Sequence, residues 1–494
     1  MQKWLWTLAA VAILDGLLLS NAAPAENVAL PGDDSVRLVS PQMSTPTVWQ
    51  AREADQQAPR ELVALRNQPT PAPLPDDAQA PPSDVAEPVP EDPAYEQAPC
   101  VTSSNMDPCC DTACDQPFKL FDSCFLQQNR IMVGGWIQQG ITFNAQDPAD
   151  RFNGPVATND RDGEYQMNQL WLYAIRPIDT GGCGWDIGGR LDMIYGSDFR
   201  FGINYGLEDQ INDISQPYGL VIPQAYLEVG VNNLSFKLGH FAGILDYEAV
   251  PAVANPFYSH SMCYGYTVPQ LVTGALATYK LDQQWSVSGG FHRGWMMFED
   301  INNDLDFMGG VAWNSRDKRT AMAYGVSVGP QDPAGDQDRF VYSFVLKHQV
   351  TQKLQYVLVH NLGYENDALA LPAQGQRQDA EWYGINQYFL YTINPCWTAG
   401  LRFEWLRDDD GARVFGVPNV MPPVRTWAGQ PGFAGDFYEL TLGLNWRPRP
   451  NFLFRPEVRW DWYEGTRNVA GELPFDGGNG DDQFTFAVDM IITY

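Results

Sequence analysis

Between Arg130 and Tyr494 the chain falls into sixteen segments in which apolar and polar residues alternate, and the connections between them alternate long and short without exception. In WDIGGRLDMIY, Trp185, Ile187, Leu191, Met193 and Tyr195 occupy one set of alternate positions and Asp186, Arg190 and Asp192 the other. YELTLGLNWR (438–447) and FRPEVRWDW (454–462) repeat the pattern. A period of two belongs to a β-strand with one greasy face and one polar face. Here the greasy face is rich in aromatics, and the other carries charge and glycine. The eight long connections have 11 to 29 residues and the seven short ones 2 to 7. A sandwich or propeller has no reason to sort its loops this way, whereas a transmembrane barrel has tight turns on one side and long loops on the other. The expected fold is therefore all-β, an antiparallel up-and-down barrel of about sixteen strands, with fourteen and eighteen as neighbouring counts. An even strand number with eight long loops puts both termini on the short-turn side.

Composition agrees with a membrane barrel and removes other classes. Aromatics reach 13% of residues while charged residues are only 18%, so the chain presents aromatic surface without long apolar segments. Beyond the first twenty residues no apolar run approaches the 18 that a membrane helix needs. A formal charge of −29 excludes a nucleic-acid binder. Every long loop is net negative. Such loops are ordinary solvated surface, and they also favour cations at a pore mouth.

The N-terminal part differs in character. Lys3, the apolar run Trp4–Leu14 and the small residues near Ala22 lay out a secretory signal peptide over residues 1–22, although Asp15 interrupts the apolar run. Residues 23–99 read as a disordered, acidic linker, because 17 of the 37 prolines fall between Pro24 and Pro117 and such runs bury too little apolar surface to offset chain entropy. Within it RELVALR (60–66) has the makings of a transient helical turn. Residues 100–129 hold Cys100, Cys109, Cys110, Cys114 and Cys124, whose spacing lacks the paired CxxC of a zinc site. Disulfides suit an exported chain better, within this group or to Cys183 or Cys396 in short turns, while Cys263, alone in a long loop, is expected to be a free thiol. The barrel occupies residues 130–494.

Four groups of residues are candidates for function. Arg190, Asp192, Lys237, Arg402, Glu404, Arg455, Glu457, Arg459 and Asp461 share strands with greasy alternate neighbours and are expected to line the lumen, because Arg or Lys facing lipid at mid-depth costs about 2–4 kcal/mol. The third long loop holds many aromatics but only two charges, Asp246 and Glu248. It is poorly suited to stand free in water. We expect it to fold inward as a constriction, with Asp246, Glu248, Phe257 and Tyr258 in the narrow zone and the two acids opposing wall bases such as Arg190 or Lys237; the alternative is that it packs on top as a lid or in a subunit contact. Asp300, Asn302, Asp304 and Asp306 place oxygen ligands two apart, as calcium loops do. Leu305 and Val311 stand where an EF-hand needs Gly and Glu, so at most a weak surface Ca²⁺ site is expected, and no other cofactor. Ser259-His260-Ser261 is the nearest thing to a catalytic grouping, but residues adjacent in a loop rarely face one another productively. With no recognisable catalytic motif, no enzyme activity is expected.

Two resemblances sharpen these expectations. The last residues, QFTFAVDMIITY, end on an aromatic with apolar residues at every second position, and so resemble the signal by which the barrel assembly machinery reads outer-membrane barrels. The stretches GGWIQQGITFNAQDP, RFNGPVATND, WDIGGRLDMIYGSD, FKLGHFAGILDYEAV and NPFYSHS resemble the OmpL-like β-barrel porins of double-membraned bacteria. That resemblance implies a porin in the outer membrane, in contact with its lipid, passing small hydrophilic solutes. Sixteen-stranded porins are commonly homotrimers, but no feature of the sequence separates a subunit interface from lipid-facing surface. The alternative is a structural barrel that anchors the N-terminal region without significant transport. A secreted carbohydrate-binding β-protein would need polar outer faces where this chain has Trp and Tyr.

Overall fold

The computed structural model describes residues 118–213, 216–371, 376–414 and 432–494. Sixteen strands close into one antiparallel barrel: β1 (Met132–Asn144), β2 (Tyr165–Arg176), β3 (Trp185–Gly196), β4 (Gly219–Val231), β5 (Leu234–Ala242), β6 (Leu271–Lys280), β7 (Trp285–His292) and β8 (Asp306–Asn314), followed by β9 (Thr320–Pro330), β10 (Asp338–Gln349), β11 (Leu354–Leu371), β12 (Gln376–Asn394), β13 (Trp397–Asp408), β14 (Gly435–Arg449), β15 (Phe452–Gly465) and β16 (Asp482–Thr493). Each strand pairs with its sequence neighbours, and β1 closes the ring on β16. A closed ring leaves no unpaired edge, the condition for strands to cross a hydrocarbon layer. At the seam Trp136 stands opposite Thr493 and Asn144 opposite Thr485. Beyond the last paired residue, Gly135 and Tyr494 exchange backbone hydrogen bonds in both directions (3.0 and 2.9 Å).

The period-two pattern maps onto the two faces of the wall. Leu191, Phe236, Leu238, Leu442 and Phe486 are exposed on the outside, while Asp192, Arg402, Glu439 and Asp489 are buried on the inside. Aromatics gather at both rims of the outer surface. Stacked Trp397 and Trp446, with Trp285 and Trp313, mark the short-turn end. Tyr438 with Trp462, and Phe291 with Phe307, mark the long-loop end. These are the girdles that set a barrel's depth in a bilayer.

In three respects the fold departs from the expectations above. The connection between β11 and β12, expected as a 16-residue loop, is largely ladder: pairing resumes beyond a bulge at Leu369–Gln378, where Ala368, Leu369 and Ala380 are buried against Ala412. Among the described residues two short α-helices occur, α1 (Cys124–Gln128) before the barrel and α2 (Met262–Thr267) within the third long loop. The interior is also less polar than expected. Trp136 and Trp171 stack inside the barrel (centroids 4.5 Å apart) and form a core with Phe199, Ile203, Val250 and Met296, side chains that the second, third and fourth long loops carry inward. Residues 1–117, with the expected signal peptide, linker and first four cysteines of the cluster, lie outside the described residues. Cys124 and Cys183 are exposed and Cys263 is buried, and none of the three forms a disulfide among the described residues.

If the outer face is the lipid face, Leu191→Arg in mid-β3 should cost about 2–4 kcal/mol in urea unfolding from lipid vesicles. Thr278→Arg, on the inner face of β6, should cost far less. Equal costs would contradict this assignment of faces.

Candidate functional site: a lumenal loop clasped to the wall

The third long loop, residues 243–270 between β5 and β6, lies inside the barrel. Asp246 turns the chain at a positive φ of 79°, a region Asp tolerates better than most residues. Asn255 then fastens the loop to itself, accepting from Ala249 N–H (2.8 Å) and donating to the Ala249 carbonyl (2.5 Å). Ser261 caps α2 through its hydroxyl, which accepts from Tyr264 N–H (3.0 Å). Phe257, Tyr258, Met262, Cys263 and Tyr264 are each no more than 2% exposed.

What holds the loop is a set of charge-assisted bonds from the wall to its backbone. Glu457 of β15 accepts from the N–H groups of Tyr258 (2.8 Å) and Ser259 (3.0 Å). Glu404 of β13 does the same for Met262 (2.7 Å) and Cys263. Arg455 donates to the carbonyls of Ala252 (3.1 Å) and Asn255 (2.7 Å), and Arg459 to that of His260 (2.5 Å). Arg402 reaches both the carbonyl and the hydroxyl of Ser259 (2.8 and 2.9 Å). It also bridges two carboxylates, Glu248 of the loop (2.8 Å) and Glu439 of β14 (2.7 Å). Glu248 accepts three further bonds, from Tyr388 hydroxyl (2.7 Å), His260 Nδ1 (2.9 Å) and Ser261 N–H (3.1 Å). Ionised donors and acceptors make bonds about twice as strong as neutral ones, and here they replace water for a loop backbone with no ladder of its own.

Space for the loop comes from glycines on the inner face. A Cβ on Gly140 would stand 2.7 Å from the Tyr258 ring, and one on Gly400 or Gly443 would stand 2.8 or 2.9 Å from the Phe257 ring. Gly384 receives Cys263 in the same way. Further round the same wall a bulge in β2, where Gln138 faces Gln169 and Gln139 faces Met167, turns the successive residues Asn168 and Gln169 inward. Asn168 accepts from Tyr258 hydroxyl (2.9 Å), and Gln169 donates to the Val250 carbonyl (2.8 Å). Bulges commonly re-aim side chains in this way.

The structure puts all nine charged wall candidates on the inner face but in different surroundings. Arg402, Glu404, Arg455, Glu457, Arg459 and Asp461 form or support the clasp, Asp461 by pairing with Arg459 (2.6 Å). Arg190 pairs with Asp192 (2.8 Å), and the Lys237 ammonium lies over the rings of Tyr226 and Phe241. The expected opposition of the loop acids to Arg190 or Lys237 is not what is found. Glu248 meets Arg402, and Asp246 accepts from Asn361 (2.5 Å) and donates its N–H to Ser343 (3.0 Å), because the loop leans on β10–β15. Nor are the calcium candidates gathered: Asp300 accepts from Asn302 and Asn303 N–H, Asn302 donates to the carbonyls of Pro330 and Asp332, and Asp306 is buried against Gln331. Asp300 closes its own turn, whereas Asn302 and Asp306 reach the loop at 330–332, and among the described residues no three His, Cys, Asp or Glu side chains are placed to hold a metal ion. Ser259, His260 and Ser261 each serve the clasp or the helix cap. Sequence reasoning missed Glu439, Tyr388, Asn168 and Gln169; the inner-face glycines were visible as a pattern, but not as sockets.

A closed sixteen-stranded barrel with aromatic girdles and an inward third loop defines an outer-membrane porin. Family comparison agrees: the family described as "Putative beta-barrel porin-2, OmpL-like" matches residues 130–494, and the chain belongs to it. No curated protein matches the chain. Among solved structures it is similar to the outer-membrane channel DcaP of Acinetobacter baumannii (12% identity, TM-score 0.48, covering 74% of this chain and 97% of that one). It is also similar to an anion-selective porin from Comamonas acidovorans (11%, 0.47, 74% and 99%) and to the trimer form of OmpT of Vibrio cholerae (9%, 0.44, 74% and 99%). The chain is thus a bacterial outer-membrane protein, and its family and fold are those of a non-enzymatic channel.

Two outcomes follow. Gly443→Leu should drive Phe257 from its seat, and single-channel conductance should rise while the barrel still resists heat in detergent; unchanged conductance would contradict the socket. The second concerns pH. Burial pushes the Asp246 carboxyl up to about 6. Burial also acts on Glu248, but Arg402 and His260 outweigh it and hold that carboxyl at about 2. The raised Asp246 favours the docked loop fully below its ordinary value of 3.8, and that contribution is lost as pH rises through about 6. Glu248 contributes above its ordinary 4.5 and loses its contribution only as pH falls through about 2. Between pH 7 and pH 5, Asp246 alone of these two carboxyls changes charge. Conductance should therefore titrate with a midpoint near 6, and Asp246→Asn should abolish that step.

Proposed function

We propose that this porin lets small hydrophilic solutes diffuse passively across the outer membrane, along the wall opposite the clasped loop. The carrying observation is an asymmetry of the lumen. From β15 round to β2 the inner face is buried down to the short-turn end, whereas the lower inner face of β5–β14 is only half-buried and on β5–β11 presents Ser235, Lys237, Thr278, Ser288, Lys347 and Gln355. Three hydroxyls, one amide and two ammonium groups there can exchange hydrogen bonds with a passing solute as water does. Sixteen strands leave room for an aqueous channel, and the loop reduces that room to one side.

A second reading, in which the barrel also anchors the N-terminal region, draws on one contact. The N–H and carbonyl of Phe118 both bond the Asn451 side chain (2.6 and 3.0 Å) in the turn between β14 and β15, which ties the incoming chain to the short-turn rim. The aromatic-ended β16 suits reading by the assembly machinery. A homotrimer remains part of the proposal, to be tested by the mass of the detergent-solubilised protein.

Deleting residues 249–262 removes the loop's clasped segment. A marked rise in single-channel conductance in planar bilayers is expected, and an unchanged value would exclude the loop as the constriction. A barrel that conducts nothing, with or without the deletion, would leave the anchoring reading in place of transport.

A further inference from the structure

Ahead of β1 the chain runs as a strap along the short-turn rim. It is fastened at Phe118 to Asn451, and Asn451 in turn donates to Thr493 at the end of β16 (2.9 Å). At the other end Arg130 pairs with Asp186 (2.6 Å) and Asp179 (3.5 Å) beside the turn between β2 and β3. The strap thus passes the feet of β15, β16, β1 and β2 in turn. Ser123 caps α1 by accepting from Leu126 N–H (3.3 Å), so the backbone has settled partners. The apolar side chains do not: Phe118 is 62% exposed, Leu120 55%, Phe121 40% and Phe125 67%. Four large apolar groups in eight residues are costly to leave in water, and nothing in the described barrel covers them.

The neighbouring surface indicates their occupant. Trp185 and Ile492, at the same rim of β3 and β16, are also exposed, and they belong to the outer face that meets lipid. The strap continues that apolar belt past the strand ends to the level of the headgroups. We propose that Phe118–Gln128 is an interfacial anchor: Phe118, Leu120, Phe121 and Phe125 enter the periplasmic leaflet, while Lys119, Asp122 and Gln127 face water. Short amphipathic segments bind bilayer surfaces in this manner through buried apolar area. The anchor would deliver the upstream chain to the membrane surface beside the barrel instead of across the pore mouth, which goes beyond any transport role and does not depend on it.

The test uses the full-length protein in phosphatidylethanolamine/phosphatidylglycerol vesicles containing a phospholipid with a photoactivatable diazirine on its acyl chain. After illumination and proteolysis, mass spectrometry should find lipid adducts on the 118–128 peptide at a level comparable with the lipid-facing β3 peptide, and none on the aqueous loop 468–479. In a Phe118→Ser/Phe121→Ser/Phe125→Ser variant the strap adducts should fall to the level of that loop while those on β3 persist, which shows that the barrel is intact. A native strap that carries no lipid adducts beside a labelled β3 overturns the proposal. So does a strap protected from both the lipid probe and a water-soluble carbene reagent, since it would then be covered by protein, either a second copy of the chain or its own upstream residues.

Discussion

The position of the third loop depends on Arg402, whose guanidinium lies between a loop carboxylate and a wall carboxylate. The register explains why that bridge is needed. Glu404, Glu439 and Asp461 stand directly opposite one another across β13, β14 and β15, and like charges in such a row repel. Arg402 and Arg459 flank the row, but only Glu439 and Asp461 are paired by them. Glu404 is satisfied by loop N–H groups, as is Glu457 one step further along the wall. Without the loop this wall would be a row of poorly compensated carboxylates. Without the wall the loop would have a backbone with no partners. Each therefore makes the other tolerable, and the clasp works as one unit.

Burying so much charge is costly, and a buried ion pair is weak evidence for stability on its own. Its value here is positional. Arg402, Arg455 and Arg459 bind four loop carbonyls along the segment from Ala252 to His260, while Glu404 and Glu457 bind four loop N–H groups between Tyr258 and Cys263 and the glycine sockets receive the loop's rings. A loop held so closely can narrow a channel to a defined shape, which a mobile loop cannot. The most highly charged stretch of wall is thus turned towards the loop, and the proposed transport is left the milder lower face of β5–β11.

Most of the barrel was legible in the sequence because the bilayer imposes a strict period on it. Strand number, strand order and the side on which the termini lie all follow from alternation and connection length. The β11–β12 ladder ran past its expected end because Ala368, Leu369 and Ala380 pack against the seventh loop, a tertiary contact that no local pattern reports. The inward third loop was legible from composition, since a segment so aromatic and so poor in charge must be buried somewhere. Its landing place was not. Pairing Glu248 with Arg402 instead of Arg190 is decided by which glycines leave room for Phe257 and Tyr258, and by a bulge that turns Asn168 and Gln169 inward together. Both depend on strands far apart in the chain. The spacing DINNDLD suggested ligands, but a short acidic turn can satisfy the same oxygens with its own N–H groups.

The claim that loop and wall act as one clasp is tested most directly by a double-mutant cycle on Glu248 and Arg402. Glu248→Gln, Arg402→Met and the pair together would be unfolded in lipid vesicles and their stabilities compared with the parent. If the clasp is as described, the two changes are strongly non-additive, with a coupling of about 1–3 kcal/mol, at the upper part of the range for residues in contact. Additive losses, with coupling below about 0.5 kcal/mol, would mean that the loop is not held to the wall through this pair and would contradict the account.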